Sequence, residues 1–245
     1  ISNRKPYRKD PLAPETSTAL RNAVAHSNYG TLSLVDKEDG ITRLGRIGST
    51  NEEIMLANRS LHRFFFSHVN WTKEEDARTK TGFYIKTLEL PPPAQAMFRL
   101  LRHWPIMRIF NLIGFNGVIA KQNAITNAAA SAIGALMIDG VEPLDFVRIG
   151  RTAERLWLTA THLGLSLQPL TGVLFFKLRI IDGGEEDIFS PRERARMLAS
   201  YSAADSLFDA KSRHIAFMFR IGRGEAPSAR ATRFPLENVV TIASE

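Results

Sequence analysis

The residues able to do chemistry are sparse and poorly grouped. Six histidines invite a metal or triad reading, but His62 and His68 stand six apart, and no pair has the i, i+4 spacing that lets one helix offer two imidazoles to zinc. His103, His162 and His214 each stand alone, so structural or surface roles are expected. Cysteine is absent, which removes disulfide frameworks, thiolate zinc sites, iron–sulfur clusters and cysteine nucleophiles, and fits a reducing compartment. No Gly-x-Ser-x-Gly elbow occurs, which argues against a serine hydrolase, and there is no Walker loop. Gly222-Arg223-Gly224 continues as Glu225-Ala226-Pro227, so it reads as a turn after a strand and not as a dinucleotide-binding loop. Glu185-Glu186-Asp187 is expected to be a solvated acidic loop, since consecutive carboxylates do not converge on one substrate atom. Phe64-Phe65-Phe66 and Trp104 are expected in the core or at a partner contact. What remains is charge at both ends: Arg4, Lys5 and Arg8 at the start, Arg230 and Arg233 near the finish. Two readings stay open for these, a pair of solvated termini or one anion site assembled from both.

Composition alone does not separate these two readings. The 245 residues carry 32 basic and 25 acidic side chains, a net charge of +7, and arginine supplies 23 of the 32. That bias suits planar, bidentate contacts to phosphate or carboxylate. With 44% hydrophobic and 23% charged residues the chain is globular in composition, of a size for one or at most two domains, and needs no staple to fold. The longest uncharged run, Gln122 to Ile138, is 17 residues with several polar side chains, too short for a membrane span. Basic residues crowd the start with no apolar stretch after them, so no signal peptide is expected and the predicted location is cytoplasmic. The first residue, Ile1, lacks a preceding Met, which suggests processing or a piece of a longer chain.

Periodicity supplies the elements. Apolar spacing predicts a helix over Glu15 to Ser27, a strand over Thr31 to Val35, and helix from Ile41 to Val69 in two pieces broken near Gly48. Thr72 and Glu75 form a capping box for a short helix stopped by Gly82. Phe83 to Leu90 alternates and reads as extended, before helices over Ala94 to Arg102 and Pro105 to Phe115. Ala132 to Ile138 has strand length and ends at the turn pair Asp139-Gly140. Pro143 to Leu163 is the strongest helix, with Gly164 as its C-terminal cap, and Ser190-Pro191-Arg192-Glu193 opens another. His214 to Ile221 is a second clear strand. Helix dominates, with few strands between, so the expected class is α+β.

Three segments in order carry a resemblance. Ser2-Asn3-Arg4-Lys5-Pro6-Tyr7 resembles the opening motif of the flavin nitroreductase superfamily, where an R-x-S-x-R type segment holds the flavin phosphate. Gly150-Arg151-Thr152 through Leu163-Gly164-Leu165, running into Gln168-Pro169-Leu170-Thr171-Gly172, is similar to that family's central helix and the loop beside the isoalloxazine. Arg220-Ile221-Gly222 and Ala231-Thr232-Arg233-Phe234-Pro235-Leu236 resemble its last strand and C-terminal phosphate-binding segment. Trp71-Thr72-Lys73-Glu74-Glu75 and Gly82 further resemble a divergent branch, the Acg-like nitroreductases and nitroreductase domains fused to ThiF-like adenylyltransferases.

The resemblance implies a nitroreductase-like α+β fold, a mixed and mostly antiparallel sheet surrounded by helices, with residues 1–245 as a single FMN-binding domain or a fragment of a longer chain. It implies an FMN-dependent oxidoreductase using NAD(P)H, with hydride transfer through flavin N5 and no protein acid, base or nucleophile. The implied cofactor contacts are Ser2, Arg4 and Arg233 at the phosphate and Pro169, Leu170, Thr171 and Gly172 at the ring, with no metal site. The implied partners are a small-molecule substrate and either a second copy or a fused companion half that completes the flavin site. Thr171 stands where many members carry Glu, and the family's Pro/Ser-rich loop with an Asn beneath the flavin is not visible. Those departures motivate an alternative, a degenerate flavin fold acting as a scaffold or partner-binding domain without redox activity. Nucleic-acid binding through the +7 charge is a third reading, disfavoured because no recognition motif accompanies the basic ends.

Overall fold

The computed structural model describes residues 2–182 and 188–241, so Ile1 and the Glu185-Glu186-Asp187 loop lie outside the described residues. At its centre is a four-stranded sheet, and its middle strand shows why. Strand β4 (Ala132–Ile138) is buried at every residue and alternates between two cores. Ile133, Ala135 and Met137 face one way, Ala132, Leu136 and Ile138 the other. An apolar run with both faces covered must lie inside a sheet flanked by helices on each side. β4 pairs antiparallel with β1 (Thr31–Val35) and with β6 (His214–Gly222), and β6 pairs antiparallel with the edge strand β5 (Ser166–Pro169). The order is β1-β4-β6-β5. A register shift opposite Leu136 and Met137 inserts one extra residue in β6, and beyond it Phe217, Phe219 and Ile221 share a face while Met218 and Arg220 take the other. The four named strands of this sheet all pair antiparallel; parallel pairing is confined to a separate two-stranded sheet, β2 (Val69–Asn70) with β3 (Phe83–Tyr84), and to an isolated bridge between Ser2 and Leu167.

On one face of the sheet lie α1 (Pro14–Ala25) and α8 (Pro143–His162), burying Leu20, Val24, Ile149 and Leu156. On the other lie α2 (Glu38–Ala57), α9 (Gly172–Asp182) and α10 (Pro191–Phe208), burying Leu44, Val173 and Met197. A third apolar cluster sits off the sheet, where α3 (Arg59–Ser67), α5 (Pro92–Leu101) and α6 (Trp104–Leu112) enclose Phe66, Leu101 and Met107. The remaining helices are α4 (Lys73–Thr79) and α7 (Phe115–Ala128), the latter running along α2. Among the described residues no helix is long and apolar enough to cross a membrane, and no three His, Asp or Glu residues group to hold a metal.

Local chemistry explains the ends of these elements. Both expected capping boxes form, Thr72 with Glu75 and Ser190 with Glu193. Gly164 adopts φ +69° after α8, and its neighbour Leu165 donates to the Ala160 carbonyl at 2.8 Å, which closes the helix in a Schellman turn. Several expectations are corrected. The helix from residue 41 breaks at Asn58, not near Gly48, because the Asn58 side chain accepts from the Ser60 and Leu61 amides and caps α3. Helix α4 stops at Thr79 through left-handed Lys80. Gly82 serves the next step instead: a Cβ there would strike the His68 carbonyl that Phe83 must reach to pair β3 with β2. Residues 85–88, expected extended, form a 3-10 turn. Helices α7 and α9 and strand β5 had no counterpart in the periodicity.

Helices α2 and α7 approach closely because Gly45 has no side chain: a Cβ there would lie 2.9 Å from the Ala124 carbonyl and 3.1 Å from the Ala128 methyl. Gly45→Val should therefore wedge the two helices apart and cost about 1–3 kcal/mol, read as a fall in thermal midpoint of roughly 2–4 °C per kcal/mol. Gly150, in the middle of α8 with open space around its Cα, makes the opposite case. Gly150→Ala should raise stability by about 0.5–1 kcal/mol through helix propensity alone.

Candidate functional site

An arginine inside an apolar strand is the local anomaly from which the site is built. Arg220 lies in β6 and is fully buried, at 0% exposure. Its Nε donates to Gln168 Oε1 on β5 at 2.7 Å. One terminal nitrogen donates to the carbonyls of Thr126 (2.6 Å) and Ala129 (3.3 Å) at the end of α7. The other donates to those of Lys5 (2.8 Å) and Asn3 (3.5 Å). The guanidinium also stacks on the Tyr7 ring, 4.1 Å from its centroid. All five donors of the fork are used, and every partner is neutral. Burial pushes the Arg220 guanidinium down to about 10, with nearby Arg4 adding to the depression and Tyr7 opposing it. Burial likewise pushes the Tyr7 hydroxyl up to about 12, and that hydroxyl donates to the Asn3 carbonyl at 2.5 Å.

Arg220 thereby fixes the N-terminal segment against the sheet. Ser2 bridges to Leu167, and the Asn3 amide donates to the Leu167 carbonyl at 3.2 Å. The buried Asn3 side chain donates to Ser166 Oγ at 2.9 Å and to the Glu225 carbonyl at 2.7 Å. The structure thus brings Ser2 beside β5, the strand that ends at Pro169 and leads into Leu170, Thr171 and Gly172. Arg4 turns the other way, and its guanidinium donates to the Thr87 carbonyl at 3.2 Å. Burial lowers Arg4 from its ordinary value, opposed by Tyr7 and Glu89. Arg233 is exposed, on a C-terminal segment held by Thr232, whose amide and hydroxyl both donate to buried Asp76 Oδ2 at 2.7 Å. No bond joins Arg233 to Arg4 or Ser2 among the described residues.

The loop from Pro169 to Gly172 is tightly framed. The Leu170 amide is spent on the Met218 carbonyl at 2.7 Å, and the Thr171 carbonyl starts α9 by accepting from Leu174 and Phe175. The amides of Thr171, Gly172 and Val173 find no protein acceptor among the described residues, as expected at a helix start. Gly172 leaves room for the side-chain amide of Asn51 on α2, which a Cβ there would displace. That amide donates to the Gly48 carbonyl at 2.6 Å and to Glu52 at 3.1 Å. Burial pushes the Glu52 carboxyl up to about 7, against the opposing pull of its own backbone amide and of Asn51. The expected histidine roles also have a concrete instance. His62 is buried, donates to the Leu101 carbonyl at 2.9 Å and packs on Phe66 and Trp104 as a core residue.

Residue-by-residue reading of the sequence missed Asn3, Arg220, Asn51 and Glu52. Only Arg220 left a signal, the lone charge after the apolar residues of His214–Gly222. Arg220→Met removes five donors and orphans several buried carbonyls, so it should cost about 3–5 kcal/mol. Limited proteolysis should then cut the N-terminal segment first. Glu52 gives a prediction with a definite sign. Its folded value near 7 lies above the ordinary 4.5, so the folded state holds the extra proton between those values and its stability falls as pH rises through that window. Glu52→Gln should therefore leave the thermal midpoint unchanged at pH 4 and raise stability by about 1–3 kcal/mol at pH 8.

No family model matches the chain. A curated protein of Mycobacterium tuberculosis (strain CDC 1551 / Oshkosh), described as uncharacterized, is 23% identical over 163 residues, 66% of this chain. The match spans 22% of that protein, so the chain covers under a quarter of its relative. Among solved structures, the FMN-dependent nitroreductase NfnB of Mycobacterium smegmatis, in complex with NADPH, superposes with a TM-score of 0.56 at 12% identity, over 100% of this chain and 94% of that one. The NADPH:FMN oxidoreductase of Vibrio harveyi, in complex with NAD+, gives 0.50 at 11% identity, over 100% and 74%. An antiparallel sheet between two helical layers, matched end to end at these scores, is the nitroreductase-like α+β fold.

Proposed function

We propose that the chain is an FMN-binding, nitroreductase-like oxidoreductase domain that uses NAD(P)H, with residues 1–245 acting as one unit. The observation that carries the reading is the pairing of two features on adjoining structure. Ser2 is docked on β5, and three unpaired amides, those of Thr171, Gly172 and Val173, open α9 where β5 ends. The residues fit the group. Donors at a helix start suit the acceptor edge of a flavin ring. Arg4 spends one contact on Thr87 and keeps the rest of its fork for a phosphate dianion. Pro169 and Leu170 would lie along the ring, and Arg233 would reach the phosphate from the exposed C-terminal segment. FMN, when bound, supplies the hydride chemistry at N5, so the protein needs no acid, base or nucleophile of its own. The chain's part is to bind, orient and exclude water. A second copy or a companion half of a longer chain would close the site over the exposed side of this arrangement.

A second reading has two observations in its favour: among the described residues Arg233 stands exposed with no bond to Arg4, and Thr171 offers no carboxylate. On that reading the domain is a flavin fold without redox activity, serving as a scaffold.

An absorption spectrum and an FMN titration of the purified protein test the first reading directly. Flavin absorbance, or saturable quenching of added FMN, is expected; the absence of both sinks it. Arg4→Ala and Arg233→Ala should each weaken FMN by about 10–100-fold, the worth of a charge-assisted hydrogen bond, and unchanged affinity in both would remove these residues from the site. FMN binding without NAD(P)H oxidation would select the scaffold reading.

A further inference from the structure

The N-terminal segment carries a second charged surface, one that does not include Arg4. Lys5, Arg8 and Arg223 line one cleft together with Tyr7, Gly164 and Glu225. Its walls come from distant parts of the chain and are fastened by backbone and buried side chains, not by the cations themselves. The Arg8 amide donates to the Arg223 carbonyl at 2.8 Å, which sets the two arginines side by side. Asn3, only 2% exposed, ties the segment to Ser166 and to the Glu225 carbonyl on either side. Gly224 lets the turn after β6 lie flat on the Tyr7 ring, since a Cβ would come within 2.8 Å of it. The cleft is therefore a built feature whose shape survives removal of its charges.

Charge decides what it suits. Three cations meet one carboxylate, Glu225, which reaches Lys5 Nζ at 3.4 Å while its side chain stays 87% exposed. The C-terminus of α8 at Gly164, near the Arg223 guanidinium, adds about half a negative charge. A surplus of roughly one and a half positive charges is left, and neither Arg8 nor Arg223 has a carboxylate partner among the described residues. Two exposed forks beside a point charge match the oxygens of a phosphate group, which arginine takes bidentately.

We propose that this cleft binds the phosphate or diphosphate group of a small phosphorylated ligand, at a site separate from the one proposed for the flavin phosphate. Arg4 is bonded to Thr87, while Lys5 and Arg8 line the cleft, so one docked segment serves two anions on two sides. A polynucleotide engages a run of phosphates along a track, whereas three cations in one concavity match one or two.

The test is calorimetric titration of inorganic pyrophosphate into the whole chain at about 50 mM salt, where screening is modest. Saturable binding is expected. An Arg8→Ala, Arg223→Ala double variant should bind at least about 10-fold more weakly with an unchanged thermal midpoint, since both side chains are exposed. Glu225→Gln should bind more tightly by about 2–5-fold, because it removes the one competing anion, a gain that a structural role for these residues would not produce. Arg151→Ala, an exposed arginine on α8, should change nothing. Pyrophosphate heat that is absent up to about 10 mM, or equal in the double variant, overturns the proposal. So does single-stranded DNA binding lost in the double variant with a salt dependence of many more than three phosphate contacts, which would make the cleft part of a polynucleotide track. FMN affinity measured on the same double variant should be unaltered, which keeps this site and the flavin reading separable.

Discussion

A buried guanidinium with no carboxylate to neutralise it is the constraint on which this structure turns. Removing Arg220 from water is expensive, and only a full set of hydrogen bonds makes it tolerable. Five donors demand acceptors in one plane, and a single strand cannot supply them. The fold supplies them from β5, from the end of α7 and from the N-terminal segment. Each of these is otherwise loosely held: an edge strand, a helix terminus with spare carbonyls, and a segment joined to the sheet by a single bridge at Ser2. The charge is thus a specification device. It costs desolvation, visible as the depressed Arg220 value near 10, and in return it admits only one arrangement of three pieces.

The consequences run outward from that arrangement. With residues 2–8 held extended, neighbouring side chains take different directions. Tyr7 goes under the guanidinium, Arg4 goes to Thr87, and Lys5 meets Glu225. On the far side of the sheet edge, the turn into α9 is held by the Leu170 amide on Met218 and by the absence of a side chain at Gly172, where Asn51 lies. Asn51 is in turn shared with Glu52, whose carboxyl prefers its proton near neutrality. The loop is framed from β6 and from α2 independently, so its free amides are presented by rigid neighbours, as a site needs.

What could be read from the sequence follows the range of each signal. Capping boxes at Thr72 and Ser190, the Schellman glycine after α8 and the apolar run of β4 are decided within a few residues, and they stand as expected. The α2–α3 break went to Asn58 because a side-chain cap outweighs the modest penalty of one helical glycine such as Gly48. Helix α7 escaped because its apolar residues do not concentrate on one face: it buries little but Ala120 and Asn127, leaving Val118 and Ile125 exposed. Strand β5 escaped because it is four residues long and contains Gln168 and Pro169, whose places are set by Arg220 and by the sheet edge. The segments carrying the candidate site were legible through resemblance. The roles of Asn3, Asn51 and Glu52 were not, since Asn3 finds its side-chain partners at Ser166 and Glu225, and the Asn51–Glu52 pair matters only where α2 meets Gly172.

The arginine bias seen in composition then resolves into two separate physical tasks. At Arg220 the need is for five directed donors in a low-dielectric interior; lysine, with three donors and a strongly hydrated ammonium, could satisfy at most three of those acceptors and would cost more to bury. At Arg8 and Arg223 the need is the reverse, an exposed planar fork whose position is set by backbone pairing and whose partner is not part of the chain. The same residue type serves both because its geometry, more than its charge, is what each place uses. A uniformly lysine-rich surface of equal net charge would reproduce the long-range field of this protein. It would reproduce neither the docked N-terminal segment nor the paired forks beside it.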